Sequence, residues 1–167
     1  LLKDINPGPQ GANVCYLTEV SNQLFFAATN GIHGMELWKS DGTEAGTVMV
    51  KDIRPGAANS SIGYLTNING ILFFVANNGS AGTELWKSDG TTAGTVMVKD
   101  IRSGSLGSNP SGLVNINGLL FFAADDGIKG MELWKSHGTT AGTVLVKDIN
   151  SFSGGSYPQS LADVNGT

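Results

Sequence analysis

Apolar and polar positions alternate in short runs along the whole chain. In its middle, Thr47-Val48-Met49-Val50-Lys51-Asp52-Ile53 alternates β-branched and polar residues. Leu65-Thr66-Asn67-Ile68 is a second run, and Asn69-Gly70 separates it from a third, Ile71 to Ala76. Alternation bounded by turn residues reads as strand, and Asn-Gly between two such runs is the strongest short hairpin signal. Ile71 to Ala76 is apolar on both faces, which predicts a strand internal to a sheet. Asn77-Asn78-Gly79 turns the chain into a fourth run, Thr83-Glu84-Leu85-Trp86-Lys87, and Asp89 to Gly94 makes a looser hairpin toward the next Val-Met-Val run. Pro55 to Gly63, rich in Gly and Ser, is a loop. No window carries a capped helical period, so the chain reads as all-β.

The pattern recurs. Glu36-Leu37-Trp38-Lys39-Ser40-Asp41-Gly42-Thr43 returns at Glu84–Thr91 and again at Glu132–Thr139, where His137 replaces the aspartate, a period of 48 residues. Lys-Asp-Ile keeps that period at Lys3, Lys51, Lys99 and Lys147, and Phe-Phe keeps it at Phe25, Phe73 and Phe121. Segments 48–95 and 96–143 share 31 of 48 positions without an insertion. Residues 1–167 are therefore one repeat domain, with a partial copy at 1–47, complete copies at 48–95 and 96–143, and a partial copy at 144–167. Four antiparallel strands per copy predict the blades of a β-propeller, about three and a half of them, with the β-trefoil as the alternative. Extra strands expected at Leu1–Ile5 and Val144–Ile149, with a further start at Leu161–Gly166, favour blades, because a trefoil closes on three copies. Exposed terminal edges then predict head-to-tail contact with other repeats or other copies of the chain.

Composition narrows the function. The chain has 167 residues, formal charge −4, 24 glycines, 14% charged residues and one cysteine. A mild acidic balance without a basic face gives no footing for nucleic acid. The apolar runs are far shorter than the ~20 residues of a membrane-spanning helix. A single cysteine, Cys15, excludes an internal disulfide framework. High glycine with low charge suits short strands joined by tight turns.

The octapeptide Glu-Leu-Trp-x-x-Asp-Gly-Thr followed by Ala-Gly-Thr resembles the signature of the bacterial ELWxxDGT repeat family, over essentially the whole chain. The resemblance implies a secreted or surface-attached, often adhesin-like protein, and an extracellular or cell-surface location. His137 departs from the motif.

Candidate binding residues follow from repetition. Trp38, Trp86 and Trp134 read as strand residues packed on at least one ring face, or as platforms for sugar rings. Glu36 with Lys51, Glu84 with Lys99 and Glu132 with Lys147 read as cross-strand ion pairs. Asp41 and Asp89 read as turn residues bonding the backbone two positions on, with calcium coordination as the sharper alternative; no Asp-x-Asp-x-Asp-Gly ladder supports that ion, and no cofactor is expected. His33 and His137 lie at unrelated repeat positions and read as solvated loop residues. The loops after Lys-Asp-Ile, Asn6–Ala12, Arg54–Gly63, Arg102–Gly112 and Asn150–Ser160, vary between copies, and Tyr64 and Tyr157, with Tyr16 and Phe152, are the aromatics near them. Those loops and the turns Asn30–Gly34, Asn78–Gly82 and Asp126–Gly130 are expected at one end of the strands, where binding sites usually sit. The function expected is a non-enzymatic extracellular scaffold or adhesion module. A glycan-binding propeller with one shallow site per repeat is the alternative, and a hydrolase the third reading.

Overall fold

The computed structural model describes residues 1–151 and 154–163. It contains twelve strands and, among the described residues, no helix. The first sheet is β1 (Cys15–Val20), β2 (Gln23–Ala28), β3 (Glu36–Ser40) and β4 (Val48–Lys51). The second is β5 (Gly63–Ile68), β6 (Ile71–Asn77), β7 (Thr83–Ser88) and β8 (Val96–Lys99). The third is β9 (Ser111–Ile116), β10 (Leu119–Asp125), β11 (Met131–Ser136) and β12 (Thr143–Lys147). All pairings within a sheet are antiparallel and run in chain order. Each sheet therefore takes three strands from one sequence copy and its last strand from the next.

Local chemistry explains the elements. Asn69 and Gly70 both have positive φ, +51° and +83°, as the tight hairpin between β5 and β6 requires. The first hairpin achieves the same geometry with Ser21 and Asn22. The Phe-Phe strands are second in order and flanked on both sides, as the two-faced apolar run predicted. Phe25 joins Leu37, Val50, Phe74 and Trp86 in one core between the first two sheets. Phe73 joins Leu85, Val98, Phe122 and Trp134 between the second and third. Successive phenylalanines thus face opposite neighbours, and each buried ring contributes roughly 1.5–3 kcal/mol of transfer free energy.

Two sequence expectations are corrected. Among the described residues there are twelve strands in three complete sheets, where the sequence predicts about three and a half blades. Val144–Ile149 supplies most of β12 and completes the third sheet instead of starting another. Leu1–Ile5 pairs with no strand, yet keeps its repeat-equivalent place: Lys3 Nζ donates to Thr47 O at 2.7 Å, and Ile5 packs with Phe26 and Trp38. Leu161–Asp163 is likewise outside any strand; the rest of that expected strand, and Phe152, lie outside the described residues. Among the described residues no ladder passes between sheets, which a trefoil barrel would need. Among the described residues no helix is long and apolar enough to cross a membrane.

The third sheet has an uncovered face. Val146 is 42% exposed, whereas its equivalents Val50 and Val98 are 4% exposed. Phe121 is half-buried where Phe73 is buried. Substitution should report this difference. Phe73→Ala and Trp86→Ala are expected to cost about 3–5 kcal/mol each in urea unfolding. Phe121→Ala should cost clearly less.

Candidate functional site

The repeated turn consumes its own polar groups. Asp41 Oδ1 accepts hydrogen bonds from the Thr43 amide at 2.9 Å and the Thr43 hydroxyl at 2.7 Å. Thr43 Oγ1 in turn accepts from the Gly46 amide, and Thr47 Oγ1 donates to Thr43 O. Asp89, Thr91, Gly94 and Thr95 repeat every contact. The Thr43 and Thr91 hydroxyls hold both carboxyls below the ordinary aspartate value. A Cβ on Gly46 would lie 2.0 Å from Asp41 Oδ1, so the aspartate occupies space that only glycine leaves open. In the third copy His137 brings no carboxylate, but Gly142, Thr139, Thr143 and Ser136 keep the remaining bonds.

The glutamates are the residues that sequence reasoning misplaced. Glu36, Glu84 and Glu132 have no exposed surface and make no ion pair with the lysines. The register opposes Lys51 to Leu37, because a bulge separates Leu37 from Trp38. Glu84 instead gathers the following loop: Oε1 accepts from the Ser108 and Arg102 amides, and Oε2 from the Ile101 amide and the Ser108 hydroxyl. Glu132 does the same with Ile149, Asn150 and Ser156. In the first copy Ser60 donates its hydroxyl to Met35 O, and Glu36 Oε1 is buried without a partner. Burial, with Asp52 adding to it, pushes the Glu36 carboxyl up to about 7. Burial also raises Glu84. At Glu132 burial acts in the same direction, but Ser156 and the loop amides outweigh it and leave the carboxyl below its ordinary value.

The variable loops and short turns meet at one end, as expected. A Cβ on Gly34 would lie 2.3 Å from Ala58 O, and one on Gly82 would lie 2.3 Å from Gly107 N, so backbone crosses backbone there. The pairs at this end differ along the chain: His33 hydrogen-bonds Asp52 at 2.9 Å, and ion pairs join Arg102 to Asp125 and Lys129 to Asp148, the latter at 3.8 Å. His33 is thus a paired residue rather than a solvated one.

The remaining candidates divide. Trp38, Trp86 and Trp134 are each 6% exposed, which leaves no ring face open to a ligand. Tyr64 and Tyr157 are 51% and 62% exposed, and they are not together: Tyr64 opens β5, and Tyr157 lies in the last loop. Tyr64 instead lines a cleft of about 460 Å³ between β1 and β5 that Tyr16, 53% exposed, also lines. The sequence signal for Tyr16 is its place, 48 residues before Tyr64.

No family model matches the chain, and no curated protein matches it. Among solved structures, the chain is similar to the crystal structure of the computationally designed Ika8 protein, at 18% identity and a TM-score of 0.47. That similarity covers 88% of this chain and 39% of the designed one, so the chain spans well under two thirds of its length.

Two predictions follow from the carboxylates. Between pH 4.5 and about 7 the native chain keeps a proton on Glu36 that the unfolded chain has released. Stability from this group is therefore present at low pH and lost as pH rises through that window, an effect of order 1–3 kcal/mol. Urea unfolding at about pH 5 and about pH 8 should show Glu36→Gln flattening the difference. In the turns, Asp89→Ala should lower the thermal midpoint, and His137→Asp, which restores the missing acceptor, should raise it.

Proposed function

We propose that the chain is part of a non-catalytic repeat scaffold or adhesion module at the cell surface, its sheets arranged as propeller-type blades. One observation carries the reading: the lysine of Lys-Asp-Ile, with Thr92, Asn67 and their equivalents in the next copy, is spent on joining one sheet to the next. Lys51 Nζ donates to Thr95 O and Lys99 Nζ to Thr143 O, at 2.7 and 2.9 Å. Thr92 and Thr140 hydroxyls donate back to Val50 O and Val98 O. Asn67 and Asn115 amides reach Glu19 O and Asn67 O at 3.1 Å. β5 contacts both β1 and β9, so first strands adjoin first strands, which is how blades meet around an axis. A repeat devoted to its own continuation favours a structural role over one sugar site per copy, and the ELWxxDGT resemblance favours an extracellular setting.

The partner in this reading is another repeat of the same kind, in a second copy. Val146 and Ile149 would take the places that Leu2 and Ile5 of the incoming copy hold in the isolated chain, since these positions are repeat equivalents. Sedimentation of the 167-residue chain should show a mass that grows with concentration. Val146→Asp should reduce it to one chain with the circular dichroism unchanged. Deletion of Leu1–Ile5 should strengthen association by freeing the receiving face. A monomer at all micromolar concentrations overturns the head-to-tail contact. Antibody staining confined to permeabilised producing cells overturns the surface location.

A further inference from the structure

We propose that the cleft between β1 and β5 binds a neutral hexopyranose held between Tyr16 and Tyr64. The proposal goes beyond the scaffold reading and stands or falls separately from it.

The backbone at these two residues is the first argument. In each sheet the first strand bulges against the second: Cys15 and Thr18 oppose Ala27 and Phe25, Gly63 and Thr66 oppose Val75 and Phe73, and Ser111 and Val114 oppose Ala123 and Phe121. The residue after the first of each pair is left-handed: Tyr16 at φ +58°, Tyr64 at +54° and Gly112 at +62°. A bulge residue in that region is ordinarily glycine, because a Cβ there crowds the backbone. The third copy obeys the rule and the first two break it with a bulky aromatic. The fold does not require tyrosine here, since Gly112 makes the same bulge. Strain kept at an exposed position points to a use for the side chain.

The surroundings define the ligand. Both rings are about half exposed and line one cleft of about 460 Å³ with Leu17, Thr18, Gly63 and Leu65. Thr18 Oγ1 reaches Leu65 O at 3.5 Å, tying the two strands beneath it. The six lining residues include no Asp, Glu, Lys, Arg or His, so the cleft matches an uncharged ligand and has no counter-ion for a phosphate or carboxylate. Two half-exposed tyrosines lining a cleft of apolar and hydroxyl-bearing residues suit a ring that is apolar on its faces and hydroxylated around its rim. A hexopyranose has that form. The site is single, because the equivalent position in the third copy is Gly112.

The experiment is a titration of the intact chain with cellotetraose, maltotetraose and chitotetraose, followed by calorimetry and by the tyrosine ring signals in NMR. At least one sugar is expected to bind once per chain and to shift the Tyr16 and Tyr64 rings. Tyr16→Gly and Tyr64→Gly should each weaken it by about tenfold or more, while the thermal midpoint stays level or rises as the strain is released. Tyr64→Ser gives a second test, because Ser160 already holds the equivalent left-handed position at φ +55°. The proposal is overturned if no sugar moves those rings at millimolar concentration, or if hexaproline binds there in place of sugar. It is also overturned if both Tyr64 variants melt well below the parent, since the ring would then be structural.

Discussion

Hydrogen-bond ladders stop at the edges of each sheet, so the arrangement of the three sheets rests on side chains that cross between them, the lysine of Lys-Asp-Ile above all. Lys51 leaves the last strand of one sheet and delivers its ammonium to the carbonyls of Thr95 and Thr92 in the turn of the next. A charged donor on a partly buried carbonyl contributes on the order of 1.5–3 kcal/mol. Lys99 makes the same bond to Thr143 O while its ammonium stands 5.7 Å from the Trp134 ring centroid. Because donor and acceptor occupy different ends of one repeat, the contact is heterologous and copies itself from sheet to sheet. The apolar cores between sheets supply most of the area, and the lysine bond sets the register in which those cores meet.

Much of this was legible in the sequence because it is local. Turn residues and alternation located the strands, and the two-faced Phe-Phe run located the inner one. The glutamates were not legible. Pairing Glu36 with Lys51 assumed a regular ladder across the hairpin, and the bulge between Leu37 and Trp38 slides that ladder by one residue. Nor does alternation reveal that a loop seventeen residues downstream aims its Ile53 amide back at Glu36. Leu1–Ile5 failed as a strand for a different reason: a strand is defined by its neighbour, and these residues keep their repeat contacts without one. Tyr16 was visible after the fact, since the aligned column Tyr16, Tyr64, Gly112, Ser160 mixes tyrosine with glycine, as a left-handed position can.

The copies share one backbone and differ in their electrostatics. Position 33 and its equivalents hold His33, Ala81 and Lys129 against Asp52, Asp100 and Asp148. Where His33 or Lys129 stands, the aspartate is drawn in and leaves one oxygen, Asp52 Oδ1 or Asp148 Oδ1, buried without a partner. Where Ala81 stands, Asp100 remains exposed. Glu36 adds its own unpartnered oxygen three residues from His33, so the loop end of the first sheet carries more unpartnered buried acceptor atoms than the second, whose Glu84 is saturated. Buried acceptors without donors cost stability, which makes that end the place where the first copy is most easily opened.

The two halves of the repeat's signature can be read as one joint. The aspartate of Asp-Gly-Thr fills the space beside the glycine of Ala-Gly-Thr, and this packing curls the turn so that the final threonine carbonyl faces the preceding sheet. Thr47 O, Thr95 O and Thr143 O are the atoms that Lys3, Lys51 and Lys99 reach. The motif with tryptophan and the motif with lysine are therefore acceptor and donor of a single bond, 44 residues apart in the chain and so at opposite ends of one repeat. His137 shows which part is indispensable. With the aspartate gone, Thr139, Gly142 and Thr143 still close the turn, and Lys99 still bonds Thr143 O at 2.9 Å. The carboxylate tightens the turn, whereas the glycine and the threonines create it, so a copy can lose the first and keep its place in the array.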